Sequence, residues 1–311
     1  MLDRVGTLSF SQGLVNEYGR IQGRSVKWQT QISTGKVGDN LSDVKDKASV
    51  LVAAKQKAAG VDSYLSASKE VLNRLDVQDI HLQELVDISS RLRQSVTDAL
   101  STGHAPAMME DVKNLYNQAV AIMNVRVDGK YLYGGSRTDV APVSATDLAS
   151  LVAAPTVDSV FNDTDYEQTQ RIDEHETITV GMTASSIATD LFQMFKDIGS
   201  FDSGVNGPFG ANLTAAQMTF LTAENVGLPS VQEGLTTLAA LNGSRHSQVS
   251  STVDRHESMS AYFTKFIGDI EDVDLSEAIA RLNQDQVAAQ ASGRMIAQLN
   301  QISLLNFLPT A

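Results

Sequence analysis

The sequence predicts a mainly α protein: a long antiparallel helical bundle or coiled coil built from both chain ends, with a small β-containing central outer domain. Three observations support this fold class. Apolar residues recur at three- and four-residue steps near both ends. Aromatic residues make up only 6% of the chain, which favours narrow helix-on-helix seams. Between about residues 136 and 186 the helical pattern gives way to prolines and to alternating β-branched residues.

The N-terminal part reads as successive helices separated by glycine-containing breaks. Residues 4–33 form the first helix, and "STGKVGDNLSD" at 33–43 ends it with two glycines, an Asn and two Asp residues. Further helices are expected at 43–59, 62–102 and 107–127. The helix at 62–102 has a heptad seam formed by Leu72, Leu75, Leu82, Val86, Val96 and Leu100, with Asp79, Ser89 and Arg93 in the same frame.

The centre and the C-terminal part follow a different order. We expect strands at 166–173 and 177–185, the second because "TITVGMTAS" alternates and is rich in β-branched residues. A helix follows from about 185 to 201, and 202–214 is a glycine-rich interruption. Long helices are then expected at 215–240 and 244–302, with little in the sequence to stop the second before "LPTA".

This layout predicts three domains, two of which draw on both halves of the chain. Residues 1–42 and 272–311 form a terminal coiled-coil domain. Residues 43–135 and 186–271 form a helical bundle, and residues 136–185 form the small β-rich outer domain. The two arms should pair because neither has enough apolar surface to be stable alone.

Charge and composition exclude several classes of partner. The net charge of −13 argues against a nucleic-acid backbone as partner. Residues 139–202 carry twelve acidic side chains against two basic ones, whereas residues 1–57 lean basic. There is no cysteine. No run approaches the length of a membrane span, and the first residues lack the apolar core of a cleaved signal peptide.

No catalytic, cofactor-binding or metal-binding residues are predicted, so we do not expect an enzyme. "DEHE" at 173–176 could suggest a metal site, but alternate residues of a strand face opposite sides, and a solvated acidic edge is favoured. His246 and His256 are ten residues apart, whereas metal-binding helices place ligands three or four apart. "STGK" and "YGGSR" lack the phosphate-loop spacing and are interpreted as turns.

The two ends resemble the bacterial flagellin superfamily. At the N-terminus this rests on "QTQISTGKVGDNLSDVKDKASVLVAAKQKAAG", with a Ser/Thr-Gly turn at Ser33 to Gly35 and a helix start at Ser42 and Asp43; Val44 departs from the family's second Asp. At the C-terminus it rests on "DLSEAIARLNQDQVAAQASGRMIAQLNQISLLNFL", which has an acidic-Leu start, Gln-rich heptads and an ending near Ser-Leu-Leu. These stretches lie at opposite ends of the chain, which makes the resemblance more specific than either alone.

Two central stretches are similar to one group within the superfamily, the proteins that join hook to filament. They are "DGKYLYGGSRTDVAPV" at 128–143 and "ETITVGMTASSIATDLFQMFKDI" at 176–198. The resemblance implies an inner coiled-coil layer, a bundle and an outer domain. It further implies flagellar type III export without a cleaved signal, an extracellular flagellar location and an export chaperone at the C-terminal helix. The implied partners are identical subunits, hook-associated protein 1 and flagellin, with no nucleic acid and no membrane.

The apolar positions of the terminal helices are the predicted assembly interface. They are Leu14, Tyr18, Ile21, Trp28, Ile32, Leu275, Ile279, Leu282, Ile296, Leu299, Ile302, Leu305 and Leu308. We expect neighbouring copies to bury them, at about 1.5–3 kcal/mol per large side chain, and polar seam residues such as Gln286, Asn283 and Asp79 to set the register. The alternatives are a filament flagellin, a non-polymerising helical adhesin or binding module, and an intracellular coiled-coil scaffold.

Overall fold

Seven α-helices account for most of the chain in the computed structural model, which describes residues 2–38 and 40–305. The side chains of residues 2–9, 11, 41, 45 and 300–305 also lie outside the description. The helices are α1 (Leu2–Thr34), α2 (Ala48–Thr102), α3 (Met108–Met123), α4 (Leu148–Ala153), α5 (Ala184–Ser203), α6 (Ala215–Glu271) and α7 (Leu275–Leu305). The predicted fold class, mainly helical with a small β-containing centre, is confirmed.

Two short antiparallel β-hairpins lie in the central part of the chain. β1 (Arg126–Val127) pairs with β2 (Lys130–Tyr131), and β3 (Thr169–Arg171) pairs with β4 (Thr177–Thr179). The first hairpin turns through Asp128 and Gly129, which both have positive φ angles (51° and 78°). An Asp-Gly pair at these positions is typical of the tight turn that matches the twist of two strands.

The chain divides into two compact units. The first unit contains residues 1–60 and 259–311, in which α1 packs along α7. The second unit contains residues 61–258, in which α3, α4 and α5 pack together. The finer division into three domains stays a prediction.

In the second unit, α2 and α6 run side by side and are joined by side-chain hydrogen bonds. Asn242 donates its amide to the carbonyl oxygen of Leu75 at 2.9 Å, and Gln232 donates to the hydroxyl of Ser90 at 3.0 Å. Thr97, late in α2, bonds to Asn225, early in α6, at 3.1 Å. Residues late in α2 thus lie opposite residues early in α6. The two helices are therefore antiparallel, as expected for arms that leave and return.

The core of the second unit is apolar and includes several aromatic rings. Tyr116 meets the edges of Phe192 and Phe195 at centroid distances of 5.1 and 5.6 Å, and all three side chains are fully buried. Edge-to-face contact suits the charge distribution of aromatic rings. This cluster joins α3 to α5.

Several predicted boundaries are wrong. Residues 43–59 and 62–102 belong largely to one helix, because α2 passes through Gly60 without a break. Glycine inside a helix costs about 1 kcal/mol relative to Ala, and burial of Leu51, Ala54 and Val61 on either side outweighs that cost. The start of the helix predicted from residue 43 also differs from the structure, since two 3₁₀ turns at residues 41–47 precede α2.

The C-terminal helices are also divided differently. The expected gap between 240 and 244 is absent, since α6 continues through Gly243 to Glu271. The long helix expected at 244–302 instead breaks at residues 272–274. There the carboxylate of Asp274 accepts the N–H groups of Ser276 and Glu277 and so begins a new helix.

The centre contains the predicted strands in shorter form, together with elements that were not predicted. β3 and β4 fall inside the predicted ranges 166–173 and 177–185. The helix expected at 107–127 ends at Met123, because the β1–β2 hairpin begins at Arg126. Residues 148–153, where no helix was expected, form α4, whose first turn is capped by Asp147 through a 2.7 Å bond from the Ser150 N–H.

Candidate assembly surface

The seam between α1 and α7 contains most of the residues predicted for the assembly interface. Ile21 is buried, and Leu14, Tyr18, Trp28, Ile32, Leu282, Ile296 and Leu299 are half-buried. On α7 the positions at or near the seam follow alternating four- and three-residue steps, including Ala278, Leu282, Asp285, Ala289, Ser292 and Ile296. These side chains therefore pair the two ends of one chain with each other.

The remaining predicted interface residues are in a different position. Leu275 and Ile279 are each about half exposed, at 47%. The side chains of Ile302 and Leu305 and the whole of Leu308 lie outside the described residues. Whether any of these residues contacts another molecule stays a prediction.

An ionic cluster lies at the middle of the seam. Two guanidinium nitrogens of Arg24 on α1 donate hydrogen bonds to the carboxylate of Asp285 on α7, the shortest of which is 2.9 Å. The indole N–H of Trp28 donates to the same carboxylate at 3.1 Å. Asp285 is only 7% exposed. The hydrogen bonds from Arg24 lower the pKa of the Asp285 carboxyl, so it stays ionised at neutral pH.

This cluster fixes the register of α1 against α7. If α1 slipped by one or two turns along α7, the buried carboxylate of Asp285 would lose its partners. An unpaired buried charge is costly. The residues predicted to set register, Gln286 and Asn283, are exposed instead. Asp285 had no distinguishing signal in the sequence apart from its place in the heptad frame.

A second set of apolar residues stays exposed after α1 and α7 have paired. On α1 these are Phe10, Val15 and Val26, and on α7 they are Leu275, Ile279, Val287 and Met295. Val287 and Val26 are the most open, at 68% and 60%. Of this set only Leu275 and Ile279 were predicted, because the others lie outside the seam frame. All seven side chains remain accessible for contacts with another molecule.

The connections that lead into and out of the terminal helices are bonded to each other. The Val37 N–H donates to the carbonyl oxygen of Glu271 at 2.7 Å, and the Val273 N–H donates to the carbonyl oxygen of Gly35 at 2.9 Å. Gly35 has a φ of +72°, a conformation that glycine adopts without strain. The predicted turn at "STGK" is thus confirmed, and it has a partner at the end of α6.

The central "YGGS" stretch has a structural role in the second unit. Tyr133 is fully buried, and burial raises the pKa of its hydroxyl, which therefore stays protonated and shares a hydrogen bond with Nδ1 of His81 at 2.9 Å. Gly135 has a φ of +64° and lies against the backbone of Thr164. The contact with His81 holds the start of the central segment on α2, and the positive φ explains Gly135 as a turn residue.

The "DEHE" stretch forms the tip of the β3–β4 hairpin and is held on α6. Asp173 and Glu176 both accept hydrogen bonds from Arg255, at 2.8 and 3.3 Å. The N–H of Glu174, followed by Arg255, lowers the pKa of Asp173. The expectation of a simple solvated edge is therefore wrong, since two of the four residues are ion-paired.

His256 is buried beside this tip. It is 2% exposed and its Nε2 lies 2.9 Å from the carbonyl oxygen of Ile172. His246, by contrast, bonds to Asp76 at 3.1 Å and is partly exposed. The two histidines thus serve separate packing contacts, and among the described residues no group of three His, Asp or Glu side chains is placed to hold a metal ion. Within residues 2–38 and 40–305, no helix combines the length and apolar character of a membrane span.

Comparison with known proteins first identifies a class. Residues 229–308 match the family model described as the bacterial flagellin C-terminal helical region. The match includes most of α6 and all of α7, the part of the chain that carries the predicted C-terminal signature. The resemblance to the bacterial flagellin superfamily is confirmed.

Within that class, the chain is similar to hook-associated proteins. It is 22% identical over 306 residues to flagellar hook-associated protein 3 of Escherichia coli (strain K12), a match that covers 91% of this chain and 92% of that protein. Two solved structures share the fold. A flagellar hook-associated protein from Vibrio parahaemolyticus is 16% identical, with a TM-score of 0.58 over 74% of this chain and 100% of the other. Flagellar hook-associated protein 3 from Legionella pneumophila is 12% identical, with a TM-score of 0.54 over 70% and 98%.

Proposed function

We propose that this chain is a structural subunit of the bacterial flagellum that joins hook to filament through contacts made by its terminal helices. The observation that carries the proposal is the second set of apolar residues, which stay exposed on α1 and α7 after the two helices have paired. A chain that worked alone would gain nothing from this arrangement. Subunits that pack side by side would bury these residues at about 1.5–3 kcal/mol for each large side chain.

The geometry of the pair suits repeated contacts between copies. α1 contributes Phe10, Val15 and Val26 to the exposed set, whereas α7 contributes Val287 and Met295, so the helices present different surfaces. Contacts between unlike surfaces are head-to-tail, and they generate rings or open helical arrays. The likeness to hook-associated protein 3 of Escherichia coli supports a place at the junction.

The partners we propose follow from that place. They are identical subunits, hook-associated protein 1 and flagellin, with an export chaperone at the C-terminal helix before assembly. We further propose that the protein is exported to the flagellum and that it has no enzymatic activity. In the assembled state, residues 1–42 and 272–311 form the inner layer, residues 43–135 and 186–271 the bundle, and residues 136–185 the outer domain.

The acidic residues of the second unit are consistent with an outward position. Many of the acidic residues of segment 139–202 are exposed to solvent, including Asp165, Glu167 and Glu174. A strongly charged surface keeps a protein soluble and discourages unspecific contacts. The apolar surfaces of α1 and α7 would face inward in this arrangement.

Fluorescent labelling of the protein along isolated flagella tests the proposal. We expect a narrow band at the base of each filament. Label along the whole filament would instead identify a filament flagellin, and the absence of label from flagella would identify an adhesin, a scaffold or another non-polymerising protein.

Variants of the exposed residues test the surface itself. Val26→Asp with Val287→Asp should abolish incorporation while leaving the monomer folded, because both side chains are mostly exposed. Val226→Asp is the matched control, since Val226 is 75% exposed but lies on α6 in the second unit. Normal incorporation of the double variant would contradict the proposed surface.

A further inference from the structure

Glu271, the last residue of α6, connects three separate parts of the first unit. Its carboxylate lies 3.4 Å from the ammonium of Lys36, in the segment after α1, and is also ion-paired with Lys55 of α2. The Glu271 side chain is 16% exposed, whereas the two lysine side chains are about half exposed. One carboxylate therefore binds two cations from elements distant in sequence.

The backbone of the same residue adds a third connection. Its carbonyl oxygen accepts the N–H of Val37, and two residues later Val273 donates back to Gly35. Lys36 and Asp272 thus form an isolated antiparallel bridge. The segment that follows α1 and the segment that precedes α7 are therefore bonded to each other at this one point.

The bonds of Glu271 matter because this residue lies directly before the short connection to α7. Only residues 272–274 separate α6 from α7. Three residues with ordinary backbone freedom can direct a following helix along many paths, because each has two soft torsion angles. The bonds at Glu271 remove that freedom by tying the outgoing connection to the incoming one.

The cluster differs from an ordinary surface ion pair. An exposed pair contributes little because solvent screens it and two side chains must be ordered. Here the carboxylate is largely enclosed, and the hydrogen bond from Lys55, together with the charge of Lys36, lowers the pKa of Glu271. Two backbone hydrogen bonds act at the same point, so the ion pairs reinforce an existing link.

We propose that Glu271 is a positioning residue that holds the α1–α7 pair at one angle to the adjoining ends of α2 and α6. The exposed apolar residues of α1 and α7 are then presented to a neighbouring subunit in one orientation. This second step rests on the proposed function, whereas the first concerns the isolated chain.

Spin-label distances in the monomer test the first step. The chain has no cysteine, so a label pair can be placed at Gln22→Cys on α1 and Ala53→Cys on α2, both exposed positions in the first unit. We expect one narrow distance distribution in the otherwise unchanged chain. Glu271→Lys puts a third ammonium beside Lys36 and Lys55, and it should replace the narrow peak with a broad distribution.

Two further variants serve as rescue and control. Adding Lys55→Glu to Glu271→Lys restores opposite charges and should restore the narrow peak. Glu277→Lys changes an exposed carboxylate at the start of α7 whose partner is Arg281, and the peak should stay narrow. If Glu271→Lys does not fold, as judged by circular dichroism, Glu271→Gln replaces it with the same expectation in weaker form. A peak as narrow as that of the unchanged chain in a folded Glu271 variant would overturn the positioning role.

Incorporation into flagella tests the second step and separates the two proposals. If the unchanged chain is not found in flagella, the proposed function fails, whatever the distances show. If it is found there, Glu271→Lys should be excluded and the Lys55→Glu rescue readmitted. Incorporation of Glu271→Lys at the unchanged level, together with a broad distance distribution, would contradict the need for one fixed orientation.

Discussion

The two units of this chain bury their side chains by different means. Residues 61–258 enclose large apolar side chains such as Leu85, Tyr116 and Phe192, which are inaccessible to solvent. The α1–α7 pair instead buries Ile21 and Ala278 together with Gln31 and the ionised Asp285 along a narrow seam. A core of rings and leucines stabilises by area removed from water, whereas a buried charge mainly penalises wrong pairings.

One chain can in this way keep its stabilising core apart from its recognition surface. The second unit encloses a large apolar core. The terminal pair has a seam that fixes register, and its remaining apolar residues stay available. Each of the following experiments weakens one side of the comparison and observes the other, beginning with the largest expected effect.

The largest effect is expected from truncation of the aromatic cluster. Phe192→Ala should lower the free energy of unfolding of the second unit by about 3–5 kcal/mol, because it removes a buried ring and leaves a cavity. Chemical denaturation followed by circular dichroism measures the loss. Tyr166→Ala is the control, since that ring is exposed. A Phe192 effect as small as the control would show that the cluster is not the source of stability.

An intermediate effect is expected from acid on the terminal pair. The folded-state pKa of Asp285 is below the ordinary value of about 4, so its contribution is complete above that value and is lost as pH falls through the lowered folded pKa. The loss should be about 1.5–3 kcal/mol, typical of hydrogen bonds to a charged group. The facing charges are Arg24, Glu17 and Arg281.

Fluorescence of Trp28, the single tryptophan, can follow this titration directly. Asp285→Asn should abolish the acid transition, because the amide does not titrate in this range. Asp269→Asn, at an exposed position near the end of α6, should leave the transition unchanged. An identical transition in Asp285→Asn would mean that another group controls the pair.

The smallest effect is expected at the start of α5. The Thr183 hydroxyl accepts the Ser186 N–H at 3.3 Å, and the Ser186 hydroxyl accepts the Thr183 N–H at 3.2 Å. Thr183→Ala should lower the free energy of unfolding by about 1 kcal/mol. Thr183→Ser keeps the oxygen and should be nearly neutral. Equal losses in both variants would assign the effect to the lost methyl group.

The sequence was sufficient for the features that have a period. The long helices and strands β3 and β4 could be predicted because apolar residues at steps of three and four, or of two, indicate which side of an element is buried. The tight turn at Gly35 could be predicted from local composition. The terminal helices were recognised by the same patterns and by their likeness to a known family.

Other features depend on contacts that no local pattern contains. Gly60 does not interrupt α2, because buried neighbours on both sides outweigh its intrinsic cost. The break at 272–274 depends on the bridge from residues 35–37, more than 230 positions earlier in the chain. Arg255 could not be linked to Asp173 from sequence alone, since the hairpin that brings them together is formed by tertiary packing.

The same limit applied to the candidate site. Periodicity indicated an apolar frame on α1 and α7, but it could not divide that frame between partners inside and outside the chain. Asp285 looked like one more polar residue in a heptad until Arg24 and Trp28 were found opposite it. Val26 and Val287 became candidates only when their exposure was known.

The bond between Trp28 and Asp285 joins residues 257 positions apart, and this separation dictates the order of folding. Closing so long a loop in an unstructured chain carries a large entropic cost, which local helices do not repay until the ends have met. Helices within residues 61–258 close shorter loops, so we expect that region to become compact first. We therefore expect α1 and α7 to be the last helices to find each other.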